Sequence, residues 1–290
     1  MSFLFVVGAF AYGGLRAEAS DQRKPNVVYM MLDEIGYFEL SSMGHKILKT
    51  PNIDRLAAEG MRFTQCLAGG PTCAPTRCAL LTGKHLGHAQ IRSNTVRGGN
   101  FAITKDESTL GEMFKSAGYV TGGFGKWGLG DTGTTGVPEL HGFDLFYGYY
   151  NQGHAHSYYP EYLVRNGKKE MLPGNTGDWA SGEQFSAALI HQEAKKFIRS
   201  NKDKPFFAYL PYTMPHGLWG MPEDDPSWLM YKDMELGGKP QQRSTDPNMY
   251  AAMIHMADRY MGEIVKLLKE LGIDDNTIVF FSGDNGGNPY

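Results

Sequence analysis

Polar and ionisable residues stand at the ends of the apolar runs that are predicted to form strands. They are Asp33, Glu34, Lys126, His216, Asp284 and Asn285. In an open α/β sheet, ligands bind beyond the carboxyl ends of the strands, so we expect these side chains to converge. Carboxylate and amide oxygens are the ligands that a hard cation such as Ca²⁺ or Mg²⁺ takes, and a lysine and a histidine add positive charge and a proton. The pattern indicates a metal-assisted site for an oxyanion.

Each of these residues also has an ordinary structural explanation when it is taken alone. Asp33 or Asp284 can cap a helix. Lys126 can be a solvated surface residue, and His216, which follows a proline, can belong to a loop. Their shared position at the strand ends is what favours the functional interpretation.

The elements that would position these residues follow from an alternation of short apolar runs and helical patterns, which is typical of a mostly parallel sheet flanked by helices. Strands are predicted at residues 26–32, 62–67, 119–124, 206–210 and 277–281. Helices are predicted at 51–59, 75–81, 110–117, 181–199 and 248–271, and long loops at 130–180. Thr50 can cap the first helix and Gly60 ends it. Because no repeat or flexible linker interrupts the pattern, we expect one α/β domain.

The composition excludes several classes of protein. The 290 residues carry 28 basic and 31 acidic side chains and a formal net charge of -3, so no global attraction to nucleic acid or to an anionic membrane is expected. After residue 20, no run reaches the ~18 apolar residues that a membrane span requires. The 37 glycines indicate many tight turns, which often surround ligands.

The N-terminus has the pattern of a signal peptide over residues 1–19. Residues 3–11 form an apolar run, and Ala17-Glu18-Ala19 is the small-x-small pattern that precedes signal-peptidase cleavage. Because the basic residues usual before the apolar run are missing, a buried N-terminal strand or a wrongly assigned start codon is the alternative. We expect cleavage after Ala19 and export to the periplasm or the medium.

The cysteine count leaves one thiol to explain. Cys66, Cys73 and Cys78 are too few for a disulfide scaffold, and their number is odd in a protein expected to be exported. Any of them can be a small buried residue, and Cys66 and Cys78 are expected to serve packing or to pair.

Residues 73–77 read C-A-P-T-R, which resembles the C-x-P-x-R signature of the type I sulfatases. In that family the signature directs oxidation of the cysteine to formylglycine. Similar blocks of the family are T-P-N-I-D-R-L-A at 50–57, G-Y-V-T to G-K-W at 118–127 and S-G-D-N-G at 282–286. The resemblance covers nearly all of the chain after residue 19, and it implies an alkaline-phosphatase-like α/β fold.

The resemblance implies a metal and a modified residue. Asp33, Asp284 and Asn285, together with modified Cys73, would bind Ca²⁺, with Mg²⁺ as the alternative. Maturation would need a formylglycine-generating enzyme, which converts Cys73 into an aldehyde. The aldehyde hydrates, and one hydroxyl, activated by the metal, attacks sulfur.

Three further roles are implied by the same resemblance. Arg77 would hold the modified side chain and neutralise negative charge. Lys126 would bind a sulfate oxygen, and His216 would contact sulfate and protonate the departing alkoxide. Positive charge would thus meet the negative charge that develops on the oxygens.

Two positions depart from the family pattern. Glu34 stands where the family has a second metal-binding aspartate, so it reaches one methylene further or leaves coordination to Asp33. Gly128 stands where a histidine is usual after G-K-W. We hypothesise that His154 or His156 takes its role, because an extended His-x-His segment turns both imidazoles to the same side. The alternative is that both are surface loop residues.

The C-terminus is the third departure. The family continues well past the Asp-Asn block into another sulfate-binding lysine and a smaller C-terminal subdomain, whereas this sequence stops at Tyr290. Residues 20–290 are therefore expected to be the incomplete, N-terminal part of a sulfatase catalytic domain that lacks its C-terminal subdomain. Expressed alone, they are expected to show weak or no activity.

The function that follows is hydrolysis of sulfate esters, on a sulfated small molecule or a sulfated carbohydrate. One alternative is a phosphodiesterase or phosphonate hydrolase of the same superfamily, because tetrahedral oxyanions are similar. The other is a catalytically decayed relative that only binds carbohydrate. Aromatic residues between 143 and 159 can stack on sugar rings, or they can fill a hydrophobic loop core, which is the favoured alternative.

Overall fold

A seven-stranded, mostly parallel sheet forms the centre of the protein. The computed structural model describes residues 23–94, 102–236 and 246–287, and the signal peptide expected at 1–19 lies outside them. The strands are β1 (Asn26–Leu32), β2 (Val120–Lys126), β3 (Leu145–Tyr149), β4 (Tyr162–Arg165), β5 (Lys168–Met171), β6 (Phe206–Tyr212) and β7 (Thr277–Gly283). Their order is β5-β4-β3-β2-β6-β1-β7. All neighbours pair in parallel except β3 with β4 and β4 with β5.

Six α-helices accompany the sheet in the described ranges. They are α1 (Pro51–Glu59), α2 (Cys73–Thr82), α3 (Leu110–Ser116), α4 (Ser186–Ser200), α5 (Pro226–Tyr231) and α6 (Pro247–Glu270). None of them is long and apolar enough to cross a membrane.

The central strands are buried on both faces, and successive side chains enter opposite cores. In β6, Phe206, Ala208 and Leu210 belong to the core that includes residues of α4 and α6, whereas Phe207 and Tyr209 belong to the core that includes residues of α2. This is the two-residue period of a strand sandwiched between helix layers. The predicted mixed α/β architecture is confirmed.

Helix α1 begins where its sequence predicts, but Thr50 does not supply the cap. The first backbone N–H groups, of Asn52 and Ile53, donate to Asp258 of α6 at 2.9 and 2.8 Å. Thr50 instead bonds Ser41 through its hydroxyl. A buried carboxylate from another helix therefore satisfies the donors that a local cap would otherwise meet.

Two sequence predictions about the elements are wrong. Residues 62–67 form no strand and are exposed, because a short apolar run needs a neighbouring strand for its backbone groups and none of the described strands pairs with it. The predicted loop at 130–180 contains β3, β4 and β5. These strands have only four or five residues each, which is too short for a clear periodicity.

Candidate active site

Strand register brings the sequence-predicted residues to one edge of the sheet. Leu32 pairs with both Tyr212 and Gly283, so the residues that follow β1, β6 and β7 leave the sheet together. The backbone N–H of Asp33 donates to Met214 O at 3.2 Å, and that of Asp284 donates to Leu32 O at 3.0 Å. Lys126 is the last residue of β2.

Gly125 fixes the backbone next to Lys126. Its φ is +139°, and a Cβ at this position would overlap the carbonyl oxygen of Pro211. Only glycine combines this torsion with such a close approach of two strands. The lysine therefore leaves β2 from a point that packs tightly against β6.

Two carboxylates and two cations form a fully buried cluster at this edge. Lys126 Nζ donates to Asp33 Oδ2 at 2.6 Å, and Arg77 Nη2 donates to Asp284 Oδ2 at 2.9 Å. Arg77 Nη2 also lies 3.6 Å from Asp33 Oδ2, and its Nη1 donates to Lys126 O at 2.6 Å. The side chains of all four residues are fully shielded from solvent. Their formal charges cancel, which is the condition for keeping ions in the interior.

Burial and neighbouring charge act in opposite directions on this cluster. Burial alone would raise the pKa of Asp33, but the positive charges of Lys126 and Arg77 lower it below the usual range. Burial, reinforced by the negative charge of Asp33, raises the pKa of Asp284. Burial alone would lower the pKa of Lys126, but the negative charge of Asp33 raises it. Lys126 is therefore cationic at neutral pH.

Cys73 lies at the first position of α2, directly against the cluster. It is 3% exposed, and its Sγ donates a hydrogen bond to Asp33 Oδ1 at 3.1 Å. Burial, together with the negative charge of Asp33, raises the pKa of the thiol to about 12. Because the thiolate is the nucleophilic form of cysteine, unmodified Cys73 is a poor nucleophile at neutral pH.

His216 completes one side of the site. Asp33, Cys73 and His216 each offer one atom that could bind a metal ion, and these three atoms lie within 4.8 Å of one another. His216 Nε2 is 3.4 Å from Glu34 Oε1, and the Gly217 N–H donates to Glu34 Oε2 at 3.1 Å. The carboxylate of Glu34 is therefore engaged with the His216 loop.

The structure separates the two histidines of the H-A-H segment. Residues His154–His156 form a 3₁₀ turn and not the extended segment that was expected. The His156 ring stacks on His216 at a centroid distance of 4.3 Å, whereas the His154 ring packs between Tyr149 and Tyr162. Burial, followed by the charge of His216, lowers the pKa of His156 to about 4. Of the pair, only His156 contacts another residue of the site.

Sequence reasoning missed Gln152, whose side-chain amide lies against Gly128. A Cβ built on Gly128 would overlap the Gln152 amide nitrogen. The absence of a side chain at position 128 was visible in the sequence, but the residue that fills the space comes from a different segment. The aromatic residues Phe143, Phe146, Tyr149, Tyr150 and Tyr158 are buried, so they fill the core as the favoured alternative expected.

Asn285 is the remaining sequence-predicted residue at this edge. Its Oδ1 is shielded from solvent and has no hydrogen-bond partner among the described residues. A buried carbonyl oxygen without a partner is costly, so this oxygen is free to accept a ligand as far as the described residues are concerned.

Comparison with known proteins gives a consistent set of relatives. The family model described as Sulfatase matches residues 25–290. The chain is 31% identical to an N-acetylgalactosamine-6-sulfatase of Canis lupus familiaris, over 94% of this chain and 52% of that protein. It is 30% identical to an arylsulfatase of Klebsiella aerogenes, over 94% and 68% of the respective lengths. The crystal structure of Ps i-CgsB in complex with k-i-k-neocarrahexaose matches with a TM-score of 0.77 and 29% identity, over 92% of this chain and 59% of that one. The chain thus spans about half the length of the canine relative.

Proposed function

The chain belongs to the sulfatase family, and from this premise we propose that the protein hydrolyses sulfate esters at the site around Cys73. The observation that carries the proposal is the contact of Cys73 with a buried, charge-balanced cluster. That cluster supplies two fixed cations, Arg77 and Lys126, where a sulfate group would gain negative charge. Preset positive charge in a site shielded from water is usually the largest catalytic contribution.

Asp33, Asp284 and Asn285 would hold a divalent metal. Their oxygens are the donors that Ca²⁺ and Mg²⁺ prefer, and the unpartnered Oδ1 of Asn285 supports this donor set. Ca²⁺ is the proposed ion, with Mg²⁺ as the alternative. Modified Cys73 and Glu34 complete the proposed group, and the contact of Glu34 with His216 also supports a role in orienting that imidazole.

Formylglycine at position 73, when formed, would supply the oxygen nucleophile, and the metal would supply Lewis acidity. The residues of the chain would bind the sulfate group and transfer protons. Lys126 Nζ would bind a sulfate oxygen, and the bonds of Arg77 to Asp284 and to Lys126 O support a role in holding Asp284 and the end of β2 in position. His216 Nε2 would donate a proton to the departing alcohol oxygen. His156 has a lowered pKa, so it is neutral at pH 7 and would act as a proton acceptor. In this it would replace the histidine that the family usually has at position 128, the role hypothesised for His154 or His156.

Substrate, maturation and location are parts of the same proposal. A sulfated carbohydrate is the proposed substrate class, with other sulfated small molecules as the alternative. It is supported by a relative whose name states that it acts on an N-acetylgalactosamine 6-sulfate. A formylglycine-generating enzyme would modify Cys73, and residues 1–19 would direct export and be cleaved from the exported chain.

Parallel assays of the complete gene product separate the proposed activity from its alternatives. With Ca²⁺ present, we expect nitrophenyl sulfate to be hydrolysed at least about 100-fold faster than a nitrophenyl phosphodiester, because the diester carries a second organic group in place of one of the free oxygens that the buried donors of the site would bind. Faster turnover of the phosphodiester would favour the phosphonate or phosphodiester hydrolase. Binding of sulfated sugar without turnover of either ester would favour the decayed relative.

Metal binding is tested by the Asn285→Ala variant. We expect Ca²⁺ to raise the melting temperature of the parent, because an ion that binds only the folded state stabilises it. Asn285→Ala should lose most of that rise yet melt nearly like the parent in EDTA, because the deleted Oδ1 has no partner among the described residues and the deleted Nδ2 makes an exposed hydrogen bond to the neighbouring Gly286 O. Scanning calorimetry with and without Ca²⁺ measures both. An unchanged Ca²⁺ response in Asn285→Ala would exclude this residue as a ligand.

A further inference from the structure

Two hydrogen-bond donors on residues that border Gly128 are shielded from water and have no hydrogen-bond partner in the described part of the chain. The first is Nε2 of Gln152, and the second is Nε of Arg77; neither has a hydrogen-bond partner among the residues that the structure describes. Gln152 as a whole is only half-buried, but both polar atoms of its amide are shielded, and its Oε1 likewise has no hydrogen-bond partner among the described residues. Unpaired donors in such a place are uncommon, and each calls for an explanation.

The Gln152 amide and the Arg77 side chain both border the space beside Gly128. A Cβ on Gly128 would overlap Gln152 Nε2 and would lie 3.7 Å from Cδ of Arg77, the carbon bonded to Arg77 Nε. The Gln152 amide therefore occupies the volume that a side chain at position 128 would need. Gly128 has φ +79°, a torsion that side-chain-bearing residues rarely adopt, so the backbone also favours glycine here.

This space lies beside the start of α2. A small pocket there is lined by Ala74, Asn94, Gly128 and Gln152, and Asn94 Oδ1 accepts the backbone N–H of Ala74 at 2.9 Å. Ala74 follows Cys73 directly, so one wall of the pocket is formed by the neighbour of the proposed reacting residue. None of these lining residues carries a formal charge, and the nearby charge comes from Arg77.

We propose that Gln152 is a substrate-binding residue of this site, whose amide donates a hydrogen bond to a sulfate oxygen beside Arg77. The inference rests on the proposed function and deepens it. A sulfate oxygen accepts hydrogen bonds only, so it is a suitable partner for the unpaired Nε2 of Gln152 next to the cationic Arg77. Because an amide does not titrate, Gln152 binds and does not transfer a proton. It thus takes the space of a side chain at 128 without taking the acid-base role of an imidazole.

Titration calorimetry with inorganic sulfate, at saturating Ca²⁺ and pH 7.5, tests the proposal on the parent, Gln152→Ala and Gln152→Glu. Loss of one hydrogen bond to a charged group should weaken sulfate binding about tenfold in Gln152→Ala. Gln152→Glu, which has nearly the same shape, should weaken binding further, because it places a carboxylate against an anion. Gln192→Ala, on the exposed face of α4, is the matched control and should bind like the parent.

The outcomes are distinguishable. Parent-like dissociation constants in both Gln152 variants would overturn the assignment of Gln152 and leave the proposed function standing. If the parent itself binds no sulfate, both the proposed function and the role of Gln152 are contradicted. Melting temperatures of the variants in EDTA identify any loss of fold, and Gln152→Glu retains the packing if Gln152→Ala does not.

Discussion

The Cys73→Ala variant is expected to lose turnover of nitrophenyl sulfate by at least about 10⁴-fold, because it removes the nucleophile and other residues of the site cannot replace it. The variant loses the hydrogen bond from Cys73 Sγ to Asp33, which is the only hydrogen bond described between this sulfur and the charged cluster. The folded state should therefore persist. Initial rates of the complete gene product, matured with a formylglycine-generating enzyme, measure the effect.

Cys78→Ala is the matched control for this variant. Cys78 lies on the same helix and is fully buried, but it belongs to the apolar core with Leu81 and Ile91. Its replacement should cost about 1 kcal/mol of unfolding free energy, through a small cavity, and leave turnover within a few-fold of the parent. Equal rates for Cys73→Ala and the parent would refute the assignment of Cys73.

Arg77→Ala is expected to have the largest effect on stability. The guanidinium is fully buried, pairs with Asp284 at 2.9 Å and donates to Lys126 O at 2.6 Å. Its removal leaves a buried carboxylate without its counter-charge, so we expect a loss of about 3–5 kcal/mol in unfolding free energy. Urea denaturation in metal-free buffer measures it.

A double-mutant cycle separates the ion pair from simple packing. Arg77→Ala combined with Asp284→Asn should cost clearly less than the sum of the two single variants, because the double variant no longer buries an unpaired charge. Arg77→Lys keeps the charge but loses the planar, two-donor geometry, so it should fall between the parent and Arg77→Ala. Strictly additive costs would show that the contact of Arg77 with Asp284 contributes nothing to stability.

The sequence was most informative where a local pattern and a chemical constraint coincide. β1 was predicted at its observed bounds, because its apolar run ends sharply at Asp33. The C-A-P-T-R segment was predicted to be near a helix start, and Cys73 is the first residue of α2. Convergence of Asp33, Lys126 and Asp284 followed from one rule about strand ends in parallel sheets.

Predictions failed where distant residues decide the local structure. The cap of α1 comes from Asp258, which lies far along the chain, and residues 62–67 lack the partner strand that their composition suggests. His154 and His156 differ because a 3₁₀ turn directs one ring to Tyr162 and the other to His216. No periodicity argument predicts that turn, because its side chains are fixed by tertiary contacts.

The account depends most on conversion of Cys73 into an aldehyde, and one tryptic peptide measures it. Cleavage after Arg62 and Arg77 releases residues 63–77, which contain both Cys66 and Cys73. After coexpression with a formylglycine-generating enzyme and alkylation, mass spectrometry should find one alkylated cysteine, Cys66. At position 73, fragment ions should show oxygen in place of sulfur and two hydrogens fewer than cysteine. A peptide with both cysteines alkylated would contradict the account.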